Sequence, residues 1–156
     1  MRPAFYASNL LHEKQAILQV QVRLPNPDAT FDFISSEDIG HVAGTILVND
    51  AQERIMRLLG PERMTLKEAV RIVGQALDKE VQVTILTRGE AAAQMEAASM
   101  PSAMNQWHLH NVIDRAVSYL ESPEALVARE TILKYAQHSL QRLQQWVESQ
   151  LTKFRD

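Results

Sequence analysis

The chain has 156 residues, 46% hydrophobic and 22% charged, with a net charge of −3 and no cysteine. Disulfides, thiol nucleophiles and cysteine-ligated metals are excluded, and the basic stripe that a nucleic-acid partner needs is absent. No apolar run approaches the roughly 18 residues of a membrane-spanning helix, and the first residues show no basic-then-apolar secretory leader, so a cytoplasmic setting is expected.

Pro3 suits the first position of a short helix over 4–15, because its missing N–H would be unpaired there anyway. "LQVQVRLP" then alternates at period two, with Leu18, Val20, Val22 and Leu24 on one face, and predicts a strand. A second short strand follows in "TFDFIS", where Phe31 and Phe33 oppose Thr30, Asp32 and Ile34. Ser35 or Ser36 opens a helix whose first turn carries Glu37 and Asp38. Its apolar stripe is Ile39, Val42, Ala43, Ile46 and Leu47. "RIMRLLG" is a third strand. Thr65 and Glu68 form a capping box for a helix that buries Leu66, Ala69, Val70, Val73 and Leu77. "EVQVTIL" is the fourth strand, with Val81, Val83 and Ile85 on one face.

Beyond residue 88 only helical patterns appear. One helix covers about 89–98 and Pro101 interrupts. The next runs to about 121 on a stripe of Leu109, Val112, Ile113, Ala116, Val117 and Leu120. Ser122, Pro123 and Glu124 start another. The last carries Leu140, Leu143, Val147 and Leu151, with Trp146 and Phe154 at its flank. The expected fold is α/β over 1–88, with a helical cap over 89–156 packed on the same core.

The five glycines, Gly40, Gly44, Gly60, Gly74 and Gly89, include no pair one residue apart. The turn that wraps a dinucleotide pyrophosphate needs such a pair, so no cofactor is expected to bind this chain alone. A P-loop, a Tyr-x-x-x-Lys pair and a Gly-x-Ser-x-Gly elbow are also missing. His108 and His110 diverge on a helix and lack a nearby acidic third ligand, so no metal site is expected. His41 lies beside its helix's apolar stripe, and His12 and His138 read as exposed. Met95, Met100, Met104 and Trp107 are candidates for a flexible apolar pocket or for helical core.

The ordered series "RPAFYASNL", "FDFISSEDIGHVAGTIL", "LLGPERMTLKEAVRIVGQAL" and "VQVTIL" resembles the NmrA-like branch of the atypical short-chain dehydrogenase/reductase family. The likeness extends over most of residues 1–151. It implies an incomplete Rossmann-derived sheet of about four short strands, equivalent to the C-terminal portion of the family's domain. The family implies NAD(P), but its glycine-rich half has no counterpart here, so the chain is expected to be a truncated, substrate-binding portion in a biosynthetic or redox-linked pathway. By resemblance, Pro3, Phe5, Tyr6 and Asn9 pass near the nicotinamide and a small apolar substrate, with Met104 and Trp107 as further pocket candidates. The alternatives are a cofactor-independent isomerase, cyclase or dehydratase drawing on Tyr6, Asn9, Asp38, His41 and His108, or a non-catalytic interaction or regulatory module. Sheet strands without neighbours expose edges, which predicts a homodimer or a hetero-partner.

Overall fold

Three local caps set where the helices begin. Ser35 Oγ accepts from the Asp38 N–H at 3.0 Å and starts α2, Ser36–Val48. Thr65 Oγ1 accepts from the Glu68 N–H at 3.1 Å while the Glu68 carboxylate accepts from the Thr65 N–H at 2.7 Å, starting α3, Leu66–Ala76. The same reciprocal pair recurs at Thr87 and Glu90, at 3.3 and 2.9 Å, ahead of α4, Arg88–Ala97. Each satisfies N–H groups that a helix start leaves unpaired, worth about 1 kcal/mol.

The computed structural model describes residues 1–3, 5–49, 55–97, 99, 101–110 and 123–155, apart from the side chains of Trp107, His108, Pro123 and Glu124. The expected stripe over Val112–Leu120 and the Ser122 cap lie outside the described residues.

The first segment departs from the expected helix over 4–15. Residues 2–3 (β1, Arg2–Pro3) and 5–6 (β2, Phe5–Tyr6) are strand, and a 3₁₀ stretch spans Ala7–Glu13 before α1, Lys14–Leu18. The next strand therefore starts late, as β3, Gln21–Leu24. Leu18 belongs to α1, and Val20 turns the chain with φ of 56°, a strained conformation for a β-branched residue. β4 is Thr30–Ile34, β5 Arg57–Leu58, β6 Arg63–Thr65 and β7 Gln82–Ile85. The four expected strands are thus present, and β1, β2 and β6 add to them.

The pairings are parallel between β1 and β5, β2 and β4, and β3 and β7. β6 folds back antiparallel on β4. Every β4 residue from Phe31 to Ile34 is buried, as expected of a strand covered on both faces. Phe5 joins Phe31 and Phe33 in an aromatic trio, with ring centroids 4.3 and 5.2 Å from Phe5. This trio, Ile17, Val22, Leu24 and the inner face of α3 form one core.

Among the described residues, the helices from position 88 onward are α4, then α5, Ser102–His108, α6, Pro123–Ala136, α7, Leu143–Ser149, and α8, Leu151–Arg155. Trp146 and Phe154, expected at the flank, are buried members of the main core and meet edge to face at 6.1 Å. α7 packs on α3. The Glu62 carboxylate accepts from the Leu143 N–H at 3.0 Å at the start of α7. A second core joins Ile34, Val42, Met56 and Leu58 to Ile132, Tyr135, Ala136 and Leu140. Two expected apolar positions face solvent instead: Leu47 near the end of α2, and Ile85 at the end of β7.

Gly60 is the tightest backbone approach. Its N–H lies 3.4 Å from the Asp32 carbonyl, and a Cβ there would overlap the Phe33 carbonyl. Only a residue without a side chain lets the segment after β5 lie against β4. Gly60→Ala is expected to cost at least about 1–3 kcal/mol, read as a lower urea midpoint, whereas Gly44→Ala, with nothing within 4 Å of its Cβ, leaves the midpoint unchanged or raises it.

Candidate functional site

Parallel pairing puts strand ends together. The registers Phe5↔Phe33 and Tyr6↔Ile34 set the last residues of β2 and β4 side by side. β4 passes directly into Ser35 and α2. Tyr6 and the first turn of α2 therefore share one end of the sheet, the carboxyl end, where open α/β sheets hold ligands. Tyr6 is 40% exposed there, while Asn9 is half-buried in the 3₁₀ stretch that follows. Phe5 points into the aromatic trio, and Pro3 pairs with Leu58.

Asp38 is buried in that first turn. Its Oδ2 accepts from Ser35 Oγ at 2.8 Å and from the Gln141 N–H at 3.0 Å. Its Oδ1 stands 3.7 Å from His138 Nε2, too far for a hydrogen bond. The His138 ring lies 4.7 Å from the ring of His41, one helical turn beyond Asp38. A buried, doubly anchored carboxylate thus backs two imidazoles at the surface, a composition suited to moving a proton. Two sequence candidates, Asp38 and His41, come together here. His138 completes the group although nothing local in "AQHSL" marks it, because the contact spans 100 positions of chain (138 − 38).

Of the other candidates, Met104 is exposed on α5, and the side chains of Trp107 and His108 lie outside the described residues. Asn105, beside Met104, is buried with its Oδ1 unpartnered. No group of three or more His, Asp or Glu side chains positioned for a metal occurs among the described residues.

A separate ion cluster stabilises the same sheet. Asp32, with no exposed side-chain surface, receives Arg129 at 2.6 Å and Arg63 at 3.2 Å. A cleft of about 340 Å³ opens elsewhere, lined by Glu13, Ala16, Gln21, Arg23, Pro25, Leu86, Ala91, Gln94 and Met95. Met95, a pocket candidate from the sequence, is on its wall. At its edge Arg23 binds Glu90 at 2.6 Å. The Arg23 hydrogen bond, then those from Thr87, hold the Glu90 carboxyl down to about 2. Hydrogen bonds from Thr65 likewise lower Glu68.

No protein-family model matches the chain. It is 25% identical over 123 residues to the uncharacterized oxidoreductase YesF of Bacillus subtilis (strain 168), covering 76% of this chain and 42% of that protein. Its fold matches the NADPH-dependent quinone oxidoreductase QOR2 of Escherichia coli, solved with NADPH, at a TM-score of 0.74 and 16% identity over 96% of this chain and 52% of that one. The Citrobacter sp. triphenylmethane reductase, solved with NADP(H), matches at 0.70 and 14% identity over 95% and 51%. A nucleoside-diphosphate-sugar epimerase of Staphylococcus aureus matches at 0.67 and 17% identity over 94% and 50%. The chain spans about half the length of the proteins it matches. Its α/β fold is that of NAD(P)-linked reductases and epimerases, in agreement with the NmrA-like resemblance of its ordered segments. Among the described residues, no helix is long and apolar enough to cross a membrane.

The lowered carboxyls predict acid behaviour. Glu90 and Glu68 titrate below the ordinary value of 4.5 in the folded chain. Their stabilisation is full above that pH and is lost as the pH falls through their folded values, toward about 2 for Glu90. Thermal melts between pH 5 and pH 2 are expected to show a shallower decline for Glu90→Gln than for the unaltered chain, with the effect small because the pair is exposed.

Proposed function

We propose that this chain is the substrate-side portion of an NAD(P)-linked oxidoreductase. It binds a small apolar substrate at the carboxyl ends of β2 and β4, and other polypeptide holds the dinucleotide. The observation that carries this reading is the Tyr6↔Ile34 register, which sets an exposed phenol beside the start of α2 at the sheet end where such folds bind. Tyr6 is the contact residue, and Asn9 supplies a polar group for orientation. Phe5, the preceding residue of β2, anchors the strand through the aromatic trio. NAD(P) would supply hydride chemistry; these residues bind, orient and shield the substrate. The five glycines provide no pyrophosphate turn. A second copy or a different chain covers the free edges of the short parallel pairs.

A second reading draws on Asp38, His138 and His41. There a positioned imidazole, with Asp38 behind it, moves a proton on the substrate without any cofactor, as an isomerase or dehydratase requires. Tyr6 stands at the same sheet end and would contact substrate in either case.

Three measurements test the first reading. Calorimetric titration of the isolated chain with NADPH is expected to give no saturable heat, and tight binding would overturn the division of labour. A small quinone, the substrate class named for the Escherichia coli fold relative, is expected to bind, and Tyr6→Ala to weaken it at least about fivefold, the worth of roughly 1 kcal/mol of aromatic contact. Light scattering at micromolar concentration is expected to show a dimer, and a clean monomer counts against edge pairing.

A further inference from the structure

The cleft between α1, β3 and α4 shares no lining residue with the Tyr6 end of the sheet. Its walls are apolar where Ala16, Pro25, Leu86, Ala91 and Met95 meet, and its polar groups are Glu13, Gln21, Arg23 and Gln94. Two of its charges are already matched, because Arg23 is bound to Glu90 at 2.6 Å. Glu13 is different. It ends the 3₁₀ stretch, half-buried, and none of the described residues hydrogen-bonds its carboxyl. His12 acts on it by charge alone, and burial pushes its carboxyl above the ordinary range. Counting Glu13, Arg23 and Glu90, the cleft keeps one negative charge in excess, held against an apolar wall. A carboxylate in that setting gains most from a ligand that brings a cation with several donors and an apolar body of its own.

We infer that this cleft is a binding site for a small amine whose ammonium group pairs with Glu13 and whose apolar body lies against Ala16, Leu86 and Met95. The site does not rest on the reductase reading. It would serve as an effector or second-ligand site whether or not the Tyr6 end binds substrate. The ammonium donates to the Glu13 carboxylate, with the side-chain amides of Gln21 and Gln94 as further acceptors. The cleft volume of about 340 Å³ holds a single-ring amine with room for water. Anions are disfavoured, because Glu90 already pairs with Arg23 and the Glu13 carboxylate adds a further negative charge.

The test is a titration of the full chain with benzylamine at pH 8. Benzyl alcohol and benzoate serve as probes of the same shape, and amide chemical shifts report the location. Benzylamine is expected to saturate with shifts centred on Glu13, Gln21, Arg23 and Gln94, and to bind at least about tenfold more tightly than benzyl alcohol. Glu13→Gln is expected to remove that preference while leaving the melting curve and the weak alcohol binding in place. Gln94→Trp, on the exposed rim, is expected to block both probes without loss of fold. Equal binding of benzylamine, benzyl alcohol and benzoate, a preference that survives Glu13→Gln, or shifts centred away from the cleft would each overturn the assignment.

Discussion

A carboxylate with no exposed surface lies in the middle of β4, and two arginines from distant parts of the chain converge on it. Asp32 is bound by Arg63 from β6 and by Arg129 from α6. Removing that charge from water is unfavourable unless both oxygens are engaged, so the pairing is a condition of the fold rather than an addition to it. β6 must fold back on β4 to deliver Arg63, and α6 must lie across the sheet to deliver Arg129. Around this point the aromatic trio gathers on one side and the Ile34–Val42–Ile132 core on the other. The β4–β6 pairing is thus held by side-chain chemistry as well as by its few ladder hydrogen bonds.

The parts legible in the sequence are those written over three or four residues. The Ser35 cap, the Thr65–Glu68 box and the Val70–Val73 stripe are local patterns, and each forms as read. The segments that carry the reductase resemblance are also contiguous, which is why the fold was visible through them. What escaped was set by contacts across long separations. β6 is three residues in "RMT" that pair only because β4 lies opposite. The period-two run from Leu18 starts its strand late because α1 consumes its first residue and Val20 turns the chain. Trp146 and Phe154 are core residues because α7 and α8 meet the main core from outside the α/β segment.

The candidate site was half legible for the same reason. Asp38 and His41 are three residues apart in α2, about one turn of the helix, so a helical reading joins them. His138 comes from a short stretch after α6 whose only local features are a left-handed Gln137 and a following Ser-Leu. Its role depends on α6 packing against α2, a tertiary fact. The Glu13 cleft is still less visible, since its walls come from α1, β3, the end of β7 and α4, and no spacing rule links them.

The parallel pairings also govern how the chain is assembled in time. β3 joins β7 with Gln21 opposite Gln82, and everything from β4 through α3 lies between the two. During synthesis Val22 and Leu24 leave the ribosome long before Val83 exists to receive them. Loop closure of that span is entropically costly and comes before any ladder bond repays it. The β3–β7 ladder is thus a contact of high sequence separation, and it can form only after the whole α/β segment between the two strands has been made.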